Sequence, residues 1–298
     1  MKVNPLNLIH QGPVLLSLAN VAVKSLAGIK TNDISKLPAF PGTELKETIP
    51  PIDNSLVNDY IKHIGGDFSS YKNSAPFHLF PQWCFPILGR TLDETPLDMV
   101  KVINAGVTVG INGEIPRDTS LTLRARIEKV EITERRAIIT QRVITGTEKN
   151  PDIIVVELRT FLPLKAKDPN SEKTIKKEKP SVPDSAREIG KFKVNEYSGL
   201  EFGILTGDMN PLHWIPAYAQ SAGHKRPILH GFSTIARTVE ILNRNHFAGD
   251  VKKLKSININ FNKPLYLPGE AKVFIDSMGG IYVGDAVGAP TYLSGVIS

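Results

Sequence analysis

Two stretches of this 298-residue chain, IPRDTSLTL at 115–123 and LPGEAKVFI at 267–275, share one pattern: a proline, an acid two places later, then an alternating run. Pro116 and Pro268 stand 152 positions apart, as do Asp118 and Glu270. The same offset lays Val107 and Val109 on Ile259 and Phe261, at alternating positions that suit strands with one buried face. It also lays His78 on His230. Self-similarity at this period limits the fold strongly, because each half must be a unit of the same kind. In each, a loop-rich stretch leads to a helix and then to alternating strands such as VTVGI, SLTLRARIEKVEI and AIITQRVIT. The expected architecture is two copies of a helix-on-sheet unit, α+β in class.

The second-half helix is read from FSTIARTVEILNR, where Ile235, Val239 and Leu242 give one apolar face to lie against its own sheet. Its first-half counterpart, HLFPQWCFPILGRTL, contains Pro81 and Pro86. An interior proline removes a backbone bond and clashes with the preceding turn, so this helix is expected to be broken or shortened, leaving space beside it. Near the start, PVLLSLANVAVKSLAG (13–28) is interrupted by Asn20 and Lys24 and is too short to span a membrane. It is expected to form a peripheral helix, because polar residues before it dilute the pattern of a signal peptide.

Between the halves runs KAKDPNSEKTIKKEK (165–179), without aromatics and followed by PSVPD. Such a segment buries too little to hold itself and reads as a solvated linker rather than a nucleic-acid patch, which would interleave stacking residues. The expected division is residues 1–164 with the peripheral helix, a charged linker at 165–184, and residues 185–298. One cysteine, Cys84, allows no internal disulfide and suits a reducing compartment, with the cytoplasm as default. Its neighbours Trp83 and Phe85 point to burial. A net charge of +6 favours an anionic partner without choosing one.

Chemistry concentrates in GDMNPLH at 207–213. A carboxylate and an imidazole held together, here Asp208 and His213, can bind a water molecule, remove its proton and supply one to a neighbouring atom. Asn210 offers an amide to orient the loop, and Pro211 stiffens the turn. The plain alternative is ordinary turn chemistry with a structural histidine. Downstream, Gly231 opens the helix described above, where unpaired N–H groups suit a developing oxyanion. His230, at that helix start, is read as capping or motif support. Beside the motif, Lys225 and Arg226 are candidates for contact with a phosphate, against the blander reading of a solvated basic face. Glycine-rich phosphate loops, metal-ligand spacings and GxSxG turns do not occur in the sequence.

The stretch GDMNPLHWIPAYAQSAGHKRPILHGF, with NFNKPLYLPGE beyond it, resembles the hydratase motif of the MaoC-like family, the (R)-specific enoyl-CoA hydratases and (3R)-hydroxyacyl dehydratases. The resemblance implies a double hotdog: two antiparallel sheets, each wrapped around a central helix and related by a pseudo-twofold within one chain. It further implies that Asp208 and His213 are the catalytic pair of a syn hydration and that the Gly231 N–H binds the thioester carbonyl. Asn210, Pro211 and His230 would support motif or substrate, and Lys225 and Arg226 would meet a coenzyme A or carrier phosphate. No metal or cofactor is implied, coenzyme A or phosphopantetheine being part of the substrate. The implied partner is an acyl-CoA or acyl carrier protein thioester, with no nucleic acid, no membrane span, and a homodimer left open. The 152 offset lays Asp208 on Leu56 and His213 on Ile61, so one active site per chain is expected. Trp214, Ile215 and Phe232 depart from the motif's usual residues and leave chain-length preference open. A hotdog thioesterase and a non-catalytic acyl-thioester binding subunit remain the alternative readings.

Overall fold

The computed structural model describes residues 3–27, 33–97, 102–133, 136–164 and 180–298. The charged run 165–179 lies outside them. An N-terminal 3-10 turn, Pro5–Gln11, is capped by the Asn4 side chain and leads into α1 (Gly12–Leu26), the expected helix. The first half then runs β1 (Leu45–Ile49), α2 (Asn54–Ile64), β2 (Ser74–Ala75), α3 (Pro81–Thr91), β3 (Ile103–Ile111), β4 (Ile115–Pro116), β5 (Leu121–Ile132), β6 (Arg136–Gly146) and β7 (Ile154–Pro163). The second runs β8 (Arg187–Val194), α4 (Ser198–Thr206), α5 (Pro216–Ser221), α6 (Gly231–Asn245), β9 (Ser256–Phe261), β10 (Gly269–Ile275), β11 (Gly280–Gly284) and β12 (Leu293–Ile297).

Ten of these strands form one antiparallel sheet in the order β1-β5-β6-β7-β3-β9-β12-β11-β10-β8. The order is palindromic by role: β1 matches β8, β5 matches β10, and β3 meets β9 at the centre. Val107 lies directly opposite Ile259 in that central pair. These two residues stand 152 positions apart, so the pseudo-twofold axis passes between them. The two sheets inferred from sequence are thus fused edge to edge, which removes two unpaired edges that would otherwise invite other strands. One face of this seam is sealed: Val107 and Ile259 are fully buried, and a core cluster containing both draws residues from the two halves alike, while Asn258 and Asn260 on the other face are exposed.

Away from the seam the offset drifts. Helices α3 and α6 begin 150 positions apart. Helices α2 and α4 both end on a left-handed glycine, Gly65 and Gly207, and these are 142 positions apart. By the matching glycine caps, His213 corresponds to Tyr71 rather than to Ile61, and Asp208 to Gly66 rather than to Leu56. Leu56 and Ile61 are core residues of α2. The first half still places no acid and imidazole at the positions of the second-half pair.

Two expectations about elements are corrected. Helix α3 is shorter than α6, but it is continuous through Pro86. Pro81 sits at its first position, where a missing N–H costs nothing, and Pro86 follows the first turn, so one backbone bond is forfeited. Cys84, Ile87 and Trp83 fill its surroundings, with Trp83 Nε1 donating to Thr145 Oγ1 at 3.1 Å. Residues 180–184, read as the end of the linker, are held to the second half through Val182, which is buried and donates its N–H to the Ala289 carbonyl, and through Ser181, which bridges Pro290.

Helix α6 also differs from a one-faced helix. Phe232 through Asn243 are buried, including Arg237, Glu240 and Asn243 on the polar side. The first half covers that side, with Tyr71 Oη donating to Glu240 Oε1 at 2.6 Å and Glu240 Oε1 lying 3.0 Å from His78 Nε2. Because one core spans both halves, unfolding is expected to be a single transition. Ile259→Ala should cost about 2–5 kcal/mol in urea melts. Two separable transitions, with only one shifted, would contradict a shared core.

Candidate active site

Helix α4 is the platform of the site. It ends at Gly207 (φ 80°), whose N–H donates to the Gly203 carbonyl, and the chain turns directly into Asp208. Two glycines on α4 let this loop lie flush on the helix. A Cβ on Gly203 would come within 2.9 Å of both the Asp208 carbonyl oxygen and Met209 Sδ, and one on Gly199 would overlap the His213 carbonyl oxygen. The loop is then closed by its own side chains. Asn210 Oδ1 accepts from the Leu212 N–H at 3.0 Å and caps the 3-10 turn Pro211–His213, with Pro211 at the first position. Trp214 Nε1 donates to the Met209 carbonyl at 3.2 Å, so its indole ties the loop.

Asp208, His213 and His230 converge, with one carboxylate oxygen and one nitrogen of each ring within 4.8 Å of one another. His213 Nδ1 lies 2.9 Å from the Ile228 carbonyl. A carbonyl only accepts, so Nδ1 carries the hydrogen, and in the neutral ring Nε2 keeps its lone pair. His230 Nε2 donates likewise to the Asp208 carbonyl at 2.9 Å, and the two rings stack with centroids 3.6 Å apart. His230 therefore supports the motif through ring and backbone, and its side chain makes no helix cap.

Burial governs the protonation of all three. It raises Asp208 above the usual carboxylate range, against the opposing charge of His213 and the Asn210 N–H. It lowers His213, against Asp208 and the Ile228 bond, with His224 lowering it further. His230 is pushed well below the ordinary imidazole range, first by burial and then by His213. Each group is thus biased toward its neutral form, because the charged form loses more solvation than its neighbours return. The trio does not suit a shared metal ion: lone pairs of an imidazole lie in its ring plane, and two stacked rings direct them side by side rather than to one point.

Gly231 opens α6, and the place of its missing Cβ is taken by the Phe261 ring, 2.5 Å from Cε1. Any side chain at this position would collide with that ring, so the packing against Phe261 requires glycine. Phe232 is core, edge-on to Phe80, Phe85 and Phe261. Lys225 and Arg226 are exposed and lie over the Tyr266 ring at 4.8 and 5.8 Å. Sequence pattern did not single out α4, nor the packing of the N-terminal segment against it. The pair Gly199 and Gly203, four apart, marks a flush helix face and was legible. Gln11 Nε2, which donates to the Leu205 carbonyl, and Val14, 2.5 Å from a Cβ on Gly207, carried no sequence signal.

Residues 178–288 match the family model described as "MaoC like domain". Probable enoyl-CoA hydratase 2 of Dictyostelium discoideum is 26% identical over 199 residues, 64% of this chain and 66% of that protein. Peroxisomal multifunctional enzyme type 2 of Mus musculus is 41% identical over 66 residues, 22% of this chain and 9% of that protein. The matched regions thus span less than two thirds of these relatives. Among solved structures, a MaoC-like dehydratase from Phytophthora capsici superposes with a TM-score of 0.64 at 18% identity, over 89% of this chain and 98% of that one. A conserved hypothetical protein of Mycobacterium tuberculosis with a double hotdog fold gives 0.54 at 10% identity, over 87% and 97%.

The fold is accordingly a double hotdog. Within its second half, residues 178–288 match the MaoC-like domain, and the chain is similar to the probable enoyl-CoA hydratase 2.

A histidine held below 6.5 folds neutral, whereas the unfolded chain binds the proton, so acidification through 6.5 favours unfolding. The urea midpoint should fall from pH 7 to 5.5, and less steeply in His230→Gln. Equal slopes in both proteins would refute this origin. Gly199→Ala should cost about 1–3 kcal/mol by overpacking, read from the same melts.

Proposed function

We propose that the chain catalyses reversible syn hydration of trans-2-enoyl thioesters, carried on coenzyme A or acyl carrier protein, to (R)-3-hydroxyacyl thioesters. The observation that carries this reading is His213, fixed by the Ile228 carbonyl with Nε2 free, beside the half-buried Asp208. In this reading the thioester carbonyl rests on the Gly231 N–H, at the positive end of α6, which stabilises charge moving onto that oxygen. Water held between Asp208 and His213 gives up a proton as its oxygen bonds C3. The pair returns a proton to C2 on the same face. Which group acts on which proton belongs to a coupled pair rather than to either residue.

Hydration leaves the overall oxidation state unchanged and requires no redox cofactor. Coenzyme A or phosphopantetheine enters with the substrate, and Lys225 and Arg226 supply cations for its phosphates. The R configuration follows the family resemblance. Residues 185–298 are assigned the active half and 1–164 a non-catalytic half. Among the described residues no helix is long and apolar enough to cross a membrane. The single cysteine, Cys84, suits a reducing compartment such as the cytoplasm, while three matched relatives are peroxisomal by name.

The enoyl chromophore provides the test. Ultraviolet absorbance of crotonyl-CoA or a longer enoyl-CoA should fall with wild type, and Asp208→Asn or His213→Ala should lower kcat about 10²-fold or more. Acyl-thioester binding without absorbance loss would favour the binding-subunit reading. Because His213 must be neutral to accept a proton and burial lowers its pKa, the acid limb of kcat/KM should lie below pH 6.5. A limb at or above 6.5 would remove His213 from that role.

A further inference from the structure

We propose that His63, in the half without the catalytic pair, is a positioning residue for the hydration site, locking α4 to α6 through Glu201 and Arg237. The inference rests on the hydration reading and concerns how its reacting groups are kept in register.

The three side chains come from three helices: His63 from α2, Glu201 from α4 and Arg237 from α6. All are buried. Arg237 Nη2 lies 3.1 Å from His63 Nε2. A guanidinium only donates, so Nε2 is the acceptor and the ring hydrogen sits on Nδ1. Nδ1 faces Glu201 Oε2 at 3.5 Å. One neutral imidazole therefore accepts from the cation and presents its N–H to the anion, a role no apolar side chain could fill. Burial and the Arg237 charge hold His63 below the usual imidazole range, which keeps it in that neutral state.

Two features carry this lock to the chemistry. On α4, Gly199 and Gly203 lie flush on the carbonyls of His213 and Asp208, so a shift of the helix becomes a shift of the acid/base loop. On α6, Arg237 stands on the helix that begins at Gly231, the proposed oxyanion donor. The relay thereby fixes the spacing between the proton-transfer pair and the carbonyl site. Beside it, rings run in the same direction: Tyr60 is 6.2 Å from Phe202, and Phe202 is 4.9 Å from His230. Displacements near 1 Å in such an arrangement lower rates by up to about 10²-fold.

The test is steady-state hydration kinetics of His63→Leu and His63→Gln, at temperatures where circular dichroism shows each folded. Leucine removes both bonds; glutamine can accept from Arg237 and donate to Glu201. Expected results are a kcat at least tenfold lower in His63→Leu with KM within twofold, and recovery to within threefold of wild type in His63→Gln. A lowered melting temperature with unchanged kcat would overturn the proposal, as would failure of glutamine to restore kcat. Should His63→Leu not fold, Glu201→Gln takes its place: a kcat reduced tenfold supports the relay and an undiminished one overturns it. A wild type inert toward enoyl thioesters would refute the hydration reading instead. The relay is then judged by the ring-proton NMR resonances of His213 and His230, which must move in His63→Leu and return in His63→Gln.

Discussion

The pairing of β3 with β9 is the constraint on which the rest of the molecule depends. With Val107 set opposite Ile259, the two five-stranded halves become one sheet and the two central helices are brought against a common core. That register places α2 of the first half beside α4 and α6 of the second. A slip of one residue would turn every buried side chain of the seam to the opposite face, so the burial that stabilises the sheet also specifies the alignment of the halves.

Within this frame, burial is used twice for different ends. In the core it stabilises through apolar area. At the site it biases Asp208, His213 and His230 toward neutrality, leaving an imidazole with a free lone pair beside a carboxyl group whose charge is poorly solvated. Groups in that condition exchange protons readily because neither charged form is strongly preferred. The cost is borne by backbone: carbonyls of Ile228 and Asp208 accept from the two rings, and Asn210 caps the turn between them. The loop is therefore rigid where it needs to be aimed.

The first half kept the fold while its counterpart loop took another course. Tyr71 matches His213 by the glycine caps and His78 matches His230 by the 152 offset, but here they engage Glu240 of α6 in a buried network. With Tyr60 and His63, this polar surface supports α6 from the side its own sheet does not cover. The half without the Asp208 and His213 pair is thus a brace for the half that has it.

Much of this was legible in the chain. The repeat marked Val107 and Ile259 as equivalent positions without showing that their strands pair, the alternating runs marked the strands, and GDMNPLH followed by the glycine of ILHGF marked the loop and the helix start, because strand period and turn chemistry are local properties. Local pattern misjudged Pro86, whose cost depends on its place in the helix, and the offset upstream of the seam, where insertions fall between elements. It also saw only one face of α6. Arg237, Glu240 and Asn243 look like a solvated side, and whether they meet water or His63, Tyr71 and His78 is decided by which surfaces the sheet brings together. Sequence determined the elements and the candidate acid and imidazole of the loop, since those follow from neighbours along the chain. Tertiary structure alone decided the stacked histidines and the brace between halves, since these join residues up to 174 positions apart that only the folded sheet brings together.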